Sequence, residues 1–240
     1  MAFTSDQIWS LLGWTPSADQ ARQFTVLQLQ LAHWNRRLNL TRLVQADDYW
    51  IAQIYDALWP LLPQPQGRQG PRRIVDVGTG GGFPGLALAI SLPQARLELV
   101  DSAARKCEAV RAMAHSLGLS SRVQVHCERA ELFARRVGMR GQVDLAVARA
   151  VAPAPVVAEY LVPLLAPGGE ALLYRGRWDQ ADEDGLGRAA ALLGATLVRR
   201  QQRQLPAERG LRTVLGLSPT APCPGRYPRK VGQPARRPLA

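Results

Sequence analysis

A glycine-rich stretch at residues 78–85 is the first feature that could bind a ligand. Five residues of GTGGGFPG are glycines, and the stretch joins the apolar run 74–77 to the apolar run 86–90. Glycine has no Cβ, so such a backbone approaches a ligand closely and adopts positive φ angles. The spacing Gly80-x-Gly82-x-x-Gly85 fits the dinucleotide fingerprint, although structural turns also produce it. The stretch predicts a nucleotide-like ligand, either NAD or S-adenosylmethionine (AdoMet).

Two carboxylates flank this stretch. The run RLELVD ends at Asp101, 19 residues after Gly82, where a carboxylate can accept both hydroxyl hydrogens of a ribose in NAD or AdoMet. The structural alternative is that Asp101 caps the helix that follows. Asp76 lies two residues before the first glycine, where it would either favour the sulfonium of AdoMet or cap turn amides.

Arginines follow three further predicted strands. Arg129, with Ala130 and Glu131 after it, comes after the third strand, where an adenine would lie; Arg149 ends the fourth strand and Arg175 the fifth. A guanidinium among apolar neighbours is costly to bury unless it is paired. Arg149 is therefore expected to meet either a carboxylate of the protein or a ligand.

The elements that must position these residues alternate from residue 74 onward. Such alternation predicts a mostly parallel sheet with helices on both faces. The last two strands have no helix between them and are expected to pair antiparallel at a sheet edge. A seven-stranded sheet of this kind is the Rossmann-like AdoMet-methyltransferase variant, whereas a dinucleotide domain has six parallel strands. The predicted strands are 74–77, 96–100, 122–127, 143–148, 170–174, 195–200 and 212–217, and the helices are 85–91, 103–117, 154–165 and 180–193.

Outside this domain, predicted as residues 74–218, the chain divides into three segments. Residues 1–62 form a helical segment, with amphipathic helices expected at 17–38 and 47–60. The Pro-, Gly- and Gln-rich residues 63–73 are typical of a linker. The tail 219–240 is rich in proline and arginine. It is either a disordered end or a basic arm that follows an RNA backbone through residues such as Arg229 and Lys230.

Composition narrows the class of protein. The chain has 240 residues and a formal net charge of +11, which serves solubility or indicates a polyanionic partner such as nucleic acid. Three cysteines without metal-ligand spacing predict a reducing compartment, here the cytoplasm, and no metal. The N-terminus has no signal-peptide pattern and no long apolar run occurs, so no membrane span is expected.

Several stretches together resemble the bacterial 16S rRNA (guanine-N7) methyltransferase G family, RsmG or GidB, over about residues 20–240. The combination of WNRRLNLT with DVGTGGGFPGLALAI is the most specific part of the resemblance. The matching stretches are WNRRLNLT (34–41), DVGTGGGFPGLALAI (76–90), LVDSAARK (99–106), RAELF (129–133), VARAV (147–151), PGGEALLYRG (167–176) and RYPRKVGQPARRPL (226–239).

The resemblance implies AdoMet-dependent methylation of guanine N7 at position 527 of 16S rRNA, in the 530 loop. It implies a partner that is 16S rRNA or the small ribosomal subunit, and we expect a monomer. Arg149 and Arg175 are predicted to line the reactive cleft as catalytic residues. The expected cofactor contacts are Gly78, Gly80, Phe83, Asp101, Ser102, Ala103, Ala130, Glu131 and Arg149, and the expected RNA contacts are Arg129, Arg175, Arg212, Arg229 and Lys230.

The sequence departs from the family pattern at three places. Family members often have His and Asp-Ser in the second helix, where this chain has Gln53 and Asp56-Ala57. The usual Lys of an LKG ending is Arg175 here, and Arg and Lys are not interchangeable at a phosphate-binding site. The loss of the histidine puts a catalytic role of the second helix in doubt, and none of the changes touches the glycine loop.

Guanine N7 carries a lone pair and no proton, so methylation there needs no general base. The low histidine content of the chain fits such a reaction. Three alternatives stay open at this point: an NAD-dependent oxidoreductase, a non-catalytic RNA-binding factor, and a methyltransferase of the same class acting on another RNA.

Overall fold

A computed structural model describes residues 3–41, 47–63 and 73–239. Most of the predicted linker 63–73 lies outside the described residues. The centre of the fold is one seven-stranded sheet. Its strands are β1 (Arg73–Val77), β2 (Arg96–Asp101), β3 (Val123–Cys127), β4 (Val143–Arg149), β5 (Leu165–Arg175), β6 (Ala195–Gln204) and β7 (Leu211–Pro219).

The strand order across the sheet is β3-β2-β1-β4-β5-β7-β6. The pairs from β3 to β5 are parallel, and β7 runs antiparallel to both β5 and β6. The predicted fold class is therefore confirmed, including the closing hairpin. Strand order reverses between β1 and β4, and ligands of such sheets bind outside the carboxyl ends of the strands at this point.

Helices cover both faces of the sheet. The four helices predicted after residue 74 are all present, with ends that differ by a few residues. The short α1, α6 and α9 were not predicted. The helices are α1 (Ser5–Leu12), α2 (Ala18–Leu38), a π-helix (Asp48–Tyr55) that continues into α3 (Asp56–Leu58), α4 (Gly85–Ser91), α5 (Ala104–Ser116), α6 (Ala130–Phe133), α7 (Ala154–Leu161), α8 (Gln180–Leu192) and α9 (Gln233–Arg236), with a 3-10 turn at Val162–Leu164.

The N-terminal helices pack directly on one face of the sheet. Ser17 caps α2 through the backbone of Gln20, as its position predicts. The apolar side of α2, including Phe24, Leu27 and Leu31, shares one core with α4 and β2. The division of the chain at residues 63–73 stays a prediction. Because the π-helix belongs to the same core, the N-terminal segment can contribute side chains to a site at the sheet edge.

The tail folds back onto the opposite face, over α7. Tyr227 and Leu239 are buried in the core of that face. Arg140 donates hydrogen bonds to the carbonyl oxygens of Cys223, Pro224 and Tyr227, at 2.8, 3.1 and 2.6 Å. These contacts order residues 219–239 on the protein itself.

Within the described ranges, no helix combines the length and hydropathy that crossing a lipid bilayer requires.

Candidate active site

A cleft of about 770 Å³ opens at the carboxyl ends of the parallel strands. We call its two sides the glycine half and the arginine half. The glycine half follows β1, β2 and β3 and includes Gly78, Thr79, Gly80, Gly81, Phe83, Asp101, Ser102, Lys106, Arg129 and Ala130. The arginine half follows β4 and β5, receives the π-helix and β7, and includes Gln53, Asp56, Arg149, Tyr174, Arg175 and Arg212.

Glycine is required at the start of the loop after β1. Gly78 has φ +74°, and a Cβ there would lie 2.5 Å from Cγ2 of Val151. Gly80 has φ +58°, and a Cβ there would meet only the Gly78 carbonyl oxygen, at an ordinary contact distance of 3.8 Å. Side chains at these two positions would strain the loop, and glycine keeps its backbone bare.

Asp101 ties the glycine loop to the start of α5. Its Oδ2 accepts a hydrogen bond from the amide of Gly80 and its Oδ1 accepts one from the amide of Ala103, both at 2.9 Å. Asp101 also lines the cleft, as do Phe83 and Ser102. A carboxylate has about four acceptor sites, so this one can serve the loop and still accept from a ribose. The ribose contact stays a prediction.

Asp76 is buried beneath the glycine loop and is not among the residues that line the cleft. Its Oδ2 accepts from the Thr79 hydroxyl at 2.7 Å and from the Gly85 amide at 2.8 Å. Complete burial raises the pKa of Asp76 to about 6, against the lowering effect of those hydrogen bonds. Of the two interpretations of this residue, the structure favours the cap of turn amides.

Glu131 is not among the residues that line the cleft, although Ala130 is. The buried carboxylate accepts from Arg129 at 3.3 Å, from the Tyr160 hydroxyl at 3.4 Å and from the amide of Gly232 at 2.9 Å. Burial by itself raises the pKa of Glu131, but the hydrogen bonds from Arg129 and Gly232 lower it below its ordinary value. The side chain therefore holds the tail, and a cofactor contact of residue 131 would come from its backbone.

Arg149 meets a carboxylate of the protein, one of the two partners expected for it. Its Nη1 donates to Asp56 Oδ2 at 3.2 Å and to the Ala52 carbonyl at 2.9 Å, and its Nη2 donates to Gln53 Oε1. The Gln53 amide in turn donates to Thr41 Oγ1 at 3.2 Å. The helix in which the resemblance expects histidine thus orients Arg149 with an amide and a carboxylate.

The guanidinium of Arg175 uses only part of its hydrogen-bonding capacity. Its Nη1 donates to the Ala152 carbonyl at 2.7 Å. Its buried Nε and Nη2 have no hydrogen-bond partner in the described part of the chain. Burial lowers the pKa of this guanidinium from its ordinary value. A buried donor without a partner is costly, so Arg175 is suited to an acceptor brought by a ligand.

The remaining predicted RNA contacts separate into two groups. Arg129 and Arg212 line the cleft, and Arg212 Nε lies 3.4 Å from Asp56 Oδ2. Arg229 instead pairs with the buried Glu159 beneath the tail, and Lys230 is exposed. RNA binding by these residues stays a prediction. The positive charge of Arg229 neutralises the buried carboxylate of Glu159 in this structure.

Sequence reasoning did not identify several residues of the cleft. Lys106 and Ala235 lie within matched stretches, and Asp56 was noted only beside the departure at Ala57. Tyr160 and Ala235 are separated from the glycine loop by long stretches of chain. Asp56 lies on the polar side of the predicted helix 47–60, so nothing in the sequence indicated its burial, and Ala235 lines the cleft from α9.

Solved structures share this fold. The chain superposes on an O-methyltransferase, TomG from Streptomyces achromogenes in complex with SAM, with a TM-score of 0.55, 21% identity and coverage of 81% of this chain and 90% of that one. It superposes on the [4+2]-cyclase SpnF with a TM-score of 0.53, 15% identity and coverage of 69% and 81%. The sheet order and the cleft at its switch point define a class I AdoMet-dependent methyltransferase fold.

The model of a protein family described as "rRNA small subunit methyltransferase G" matches residues 20–205 of this chain. Ribosomal RNA small subunit methyltransferase G of Synechococcus sp. (strain RCC307) is 59% identical over 97% of this chain and 98% of its own. The protein of that name from Prochlorococcus marinus (strain MIT 9313) is 55% identical over 97% and 94%. The chain belongs to the rRNA small subunit methyltransferase G family. The predictions of family, fold and AdoMet as cofactor are confirmed, and the NAD alternative is set aside.

The residues of the glycine half fit AdoMet. The backbone of Gly78 and Gly80 lines the cleft, and the carboxylate of Asp101 lines the same space. The described residues contain no group of three or more His, Cys, Asp or Glu side chains that could hold a metal ion.

Proposed function

We propose that this protein methylates N7 of a guanine in 16S rRNA, at position 527 in the 530 loop, with AdoMet as methyl donor. The single observation that carries the proposal is the continuous cleft that joins the glycine half to the arginine half. A cofactor held by the loop after β1 and a base held beyond β4 would meet inside one cavity. AdoMet supplies an electrophilic methyl group on its sulfonium.

The electrostatics of the cleft support a nucleic-acid substrate. Its lining carries five cationic side chains against three carboxylates. Cations near a backbone neutralise phosphates and supply most of the sequence-independent affinity for RNA. The cations are Lys106, Arg129, Arg149, Arg175 and Arg212, and the carboxylates are Asp56, Asp101 and Glu128.

The reaction requires positioning and exclusion of water, with no proton transfer before the methyl moves. N7 has a free lone pair, so a direct displacement forms the N–C bond as the S–C bond breaks. Among the residues that line the described cleft none is a histidine, which agrees with a reaction that uses no general base. The protein contributes orientation, which is worth several kcal/mol when the reacting atoms are held in line.

Individual residues have separate tasks in this mechanism. Asp101 and the amides it binds fix the shape of the glycine loop and hold the ribose. Arg149, oriented by Gln53 and Asp56, and Arg175, with two free donors, hold the substrate side. Guanine N7 is inaccessible in the deep groove of A-form RNA, so the base enters from a loop or flipped out of its stack.

Methyl incorporation tests this proposal. Labelled AdoMet is incubated with small ribosomal subunits that lack the modification, and the methylated nucleotide is mapped. Wild-type protein is expected to label one guanosine of 16S rRNA, and Asp101→Ala is expected to lose both AdoMet binding and labelling. Methylation of a different RNA, or of an atom other than N7, would overturn the assignment.

The proposal includes a monomeric enzyme that works in the cytoplasm without a metal. The monomeric state is supported by the cleft, to which one chain contributes both halves. Light scattering in the presence of AdoMet tests the oligomeric state, and activity that survives EDTA treatment tests the independence from metal.

A further inference from the structure

Asp56 is the buried carboxylate of the arginine half. Its side chain is 4% exposed and yet it belongs to the cleft lining. One oxygen, Oδ2, receives both guanidinium contacts, from Arg149 at 3.2 Å and from Arg212 at 3.4 Å. The other oxygen, Oδ1, has no hydrogen-bond partner within the described ranges of the chain. A buried acceptor without a partner is destabilising, so this is a position where a ligand can supply a donor.

The two arginines hold Asp56 in different ways. Arg149 makes two hydrogen bonds to the π-helix and one to Asp56 at the start of α3, and it is 17% exposed. Arg212 is 29% exposed, makes one long contact to Asp56 and donates to the neighbouring carbonyl of Leu211. Arg149 is therefore a fixed partner of the carboxylate, and Arg212 is the partner that an incoming group can replace at small cost.

Guanine offers a suitable replacement for Arg212. Its Watson–Crick edge carries N1–H and the N2 amino group side by side, a fork of N–H donors like that of a guanidinium. A carboxylate accepts from such a fork with both of its oxygens. Adenine has no such fork: it has an acceptor at N1 and no amino group at C2, so it would meet Asp56 with an acceptor.

We propose that Asp56 recognises the Watson–Crick edge of the target guanine, and that the base takes the place of Arg212 beside this carboxylate. The inference rests on the proposed function. Binding of the flipped base by this edge leaves N7, on the neighbouring Hoogsteen edge of the purine, free to face the methyl donor. Arg212, once released, lies at the cleft mouth as a cation for an RNA phosphate.

A substrate that lacks the N2 amino group of guanine tests the proposed contact with Asp56 most directly. Small subunits are reconstituted with 16S rRNA that carries either guanosine or inosine at the target position, since inosine lacks the N2 amino group and keeps N7. Hydrogen bonds to charged groups contribute about 1.5–3 kcal/mol, so the wild-type protein should prefer guanosine over inosine by roughly ten-fold or more in kcat/KM. Asp56→Ala should reduce this ratio to about one.

Two further variants separate recognition from structural damage. Arg212→Ala should slow both substrates but keep the preference for guanosine, because Asp56 remains. Asp56→Asn should lose or reverse the preference: Arg149 can donate only to the amide oxygen, so the NH2 group of the amide faces the N–H donors of guanine. This variant preserves the size of the side chain, and AdoMet affinity measured by calorimetry verifies that it folds.

Equal rates of the wild-type protein on guanosine and inosine, or a preference that persists in both Asp56 variants, would overturn the inference. The proposed function fails in a different way. It fails if wild-type protein does not label the guanosine-containing subunits, or still labels subunits in which the target is 7-deazaguanosine, which has no nucleophilic N7.

Discussion

Arg229 forms a double hydrogen bond with Glu159, whose carboxylate is completely buried under the tail. Nη2 lies 2.6 Å from Oε2 and Nε lies 2.9 Å from Oε1, and the backbone amide of Arg229 donates to the same carboxylate at 2.7 Å. Hydrogen bonding to Glu159 raises the pKa of the Arg229 guanidinium above its ordinary value. The pair fixes the tail on α7.

Arg229→Ala should lower the free energy of unfolding by about 3–5 kcal/mol, because it leaves a buried carboxylate without its counter-charge. Urea denaturation measures the change. Lys230→Ala is the matched control, since Lys230 is the adjacent cation, is exposed and was assigned the same RNA-binding role; its stability should change by less than about 0.5 kcal/mol. Equal effects of the two substitutions would contradict the structural role of Arg229.

Gly78→Ala should destabilise the protein more than Gly80→Ala does. Both positions have positive φ, which costs an alanine about 1–2 kcal/mol. Only at Gly78 would the new Cβ also clash with a neighbour, Cγ2 of Val151 at 2.5 Å, because at Gly80 it would lie 3.8 Å from the nearest atom, an ordinary contact distance. Thermal melts without cofactor compare the two variants, and adding Val151→Ala to Gly78→Ala should recover the steric part of the loss. No recovery in the double variant would show that the backbone angle alone decides the cost.

The stability of the protein should depend on the protonation of Asp76. Burial raises the folded-state pKa from 3.8 to about 6, so the folded protein holds this proton more tightly than the unfolded chain. The stabilisation by the proton is complete below about pH 4 and is lost as the pH rises through about 6. A shift of this size corresponds to about 3 kcal/mol.

Asp76→Asn, which stays uncharged, serves as the reference for this effect. The free energy of unfolding of wild type relative to the variant should fall between about pH 4 and pH 6 and level off above that range. Urea titrations from pH 4 to pH 8 measure the difference. A difference that is independent of pH would mean that Asp76 does not titrate in this range.

Arg149→Ala should reduce methyl transfer by about a hundred-fold, because Asp56 and Gln53 lose the group that they orient and the substrate side loses its geometry. Arg149→Lys should recover only part of the rate, since an ammonium cannot reproduce the planar fork that contacts Ala52, Gln53 and Asp56 together. Single-turnover labelling measures the rates of both variants.

Arg22→Ala controls for the change in net charge, because it removes an exposed charge that is paired with Asp19. If the rate of methyl transfer by Arg22→Ala fell as far as that of Arg149→Ala, the effect of Arg149 would be one of charge alone.

The sheet and the glycine half could be predicted because their signals are local. Strand runs, the glycines after β1 and the acid at the end of β2 all appear within short stretches, and parallel strands bring such ends to one edge. Helix α1 has a local signal too, a capping box formed by Thr4 and Gln7, but its eight residues are too few for a clear apolar period.

The arginine half and the tail could not be predicted in the same way. Arg149 meets Asp56 across 93 positions of sequence, and neither residue indicates the other. The tail has no apolar period, and much of its order comes from Arg135 and Arg140, which donate to its carbonyl oxygens from elsewhere in the chain. The composition of a segment does not reveal hydrogen bonds that its neighbours provide.

The contact between Glu131 and Gly232 spans 101 positions of sequence, and the contact between Arg149 and Gln53 spans 96. The lining of the cleft itself includes residues of the first quarter, the middle and, with Ala235, the last tenth of the chain. A ligand that fills the cleft is bound only when all three are docked, so its binding energy adds to the cooperativity of the whole fold. Saturation with cofactor should slow amide hydrogen exchange in the π-helix and in α9 together, although the two helices are remote from each other along the chain.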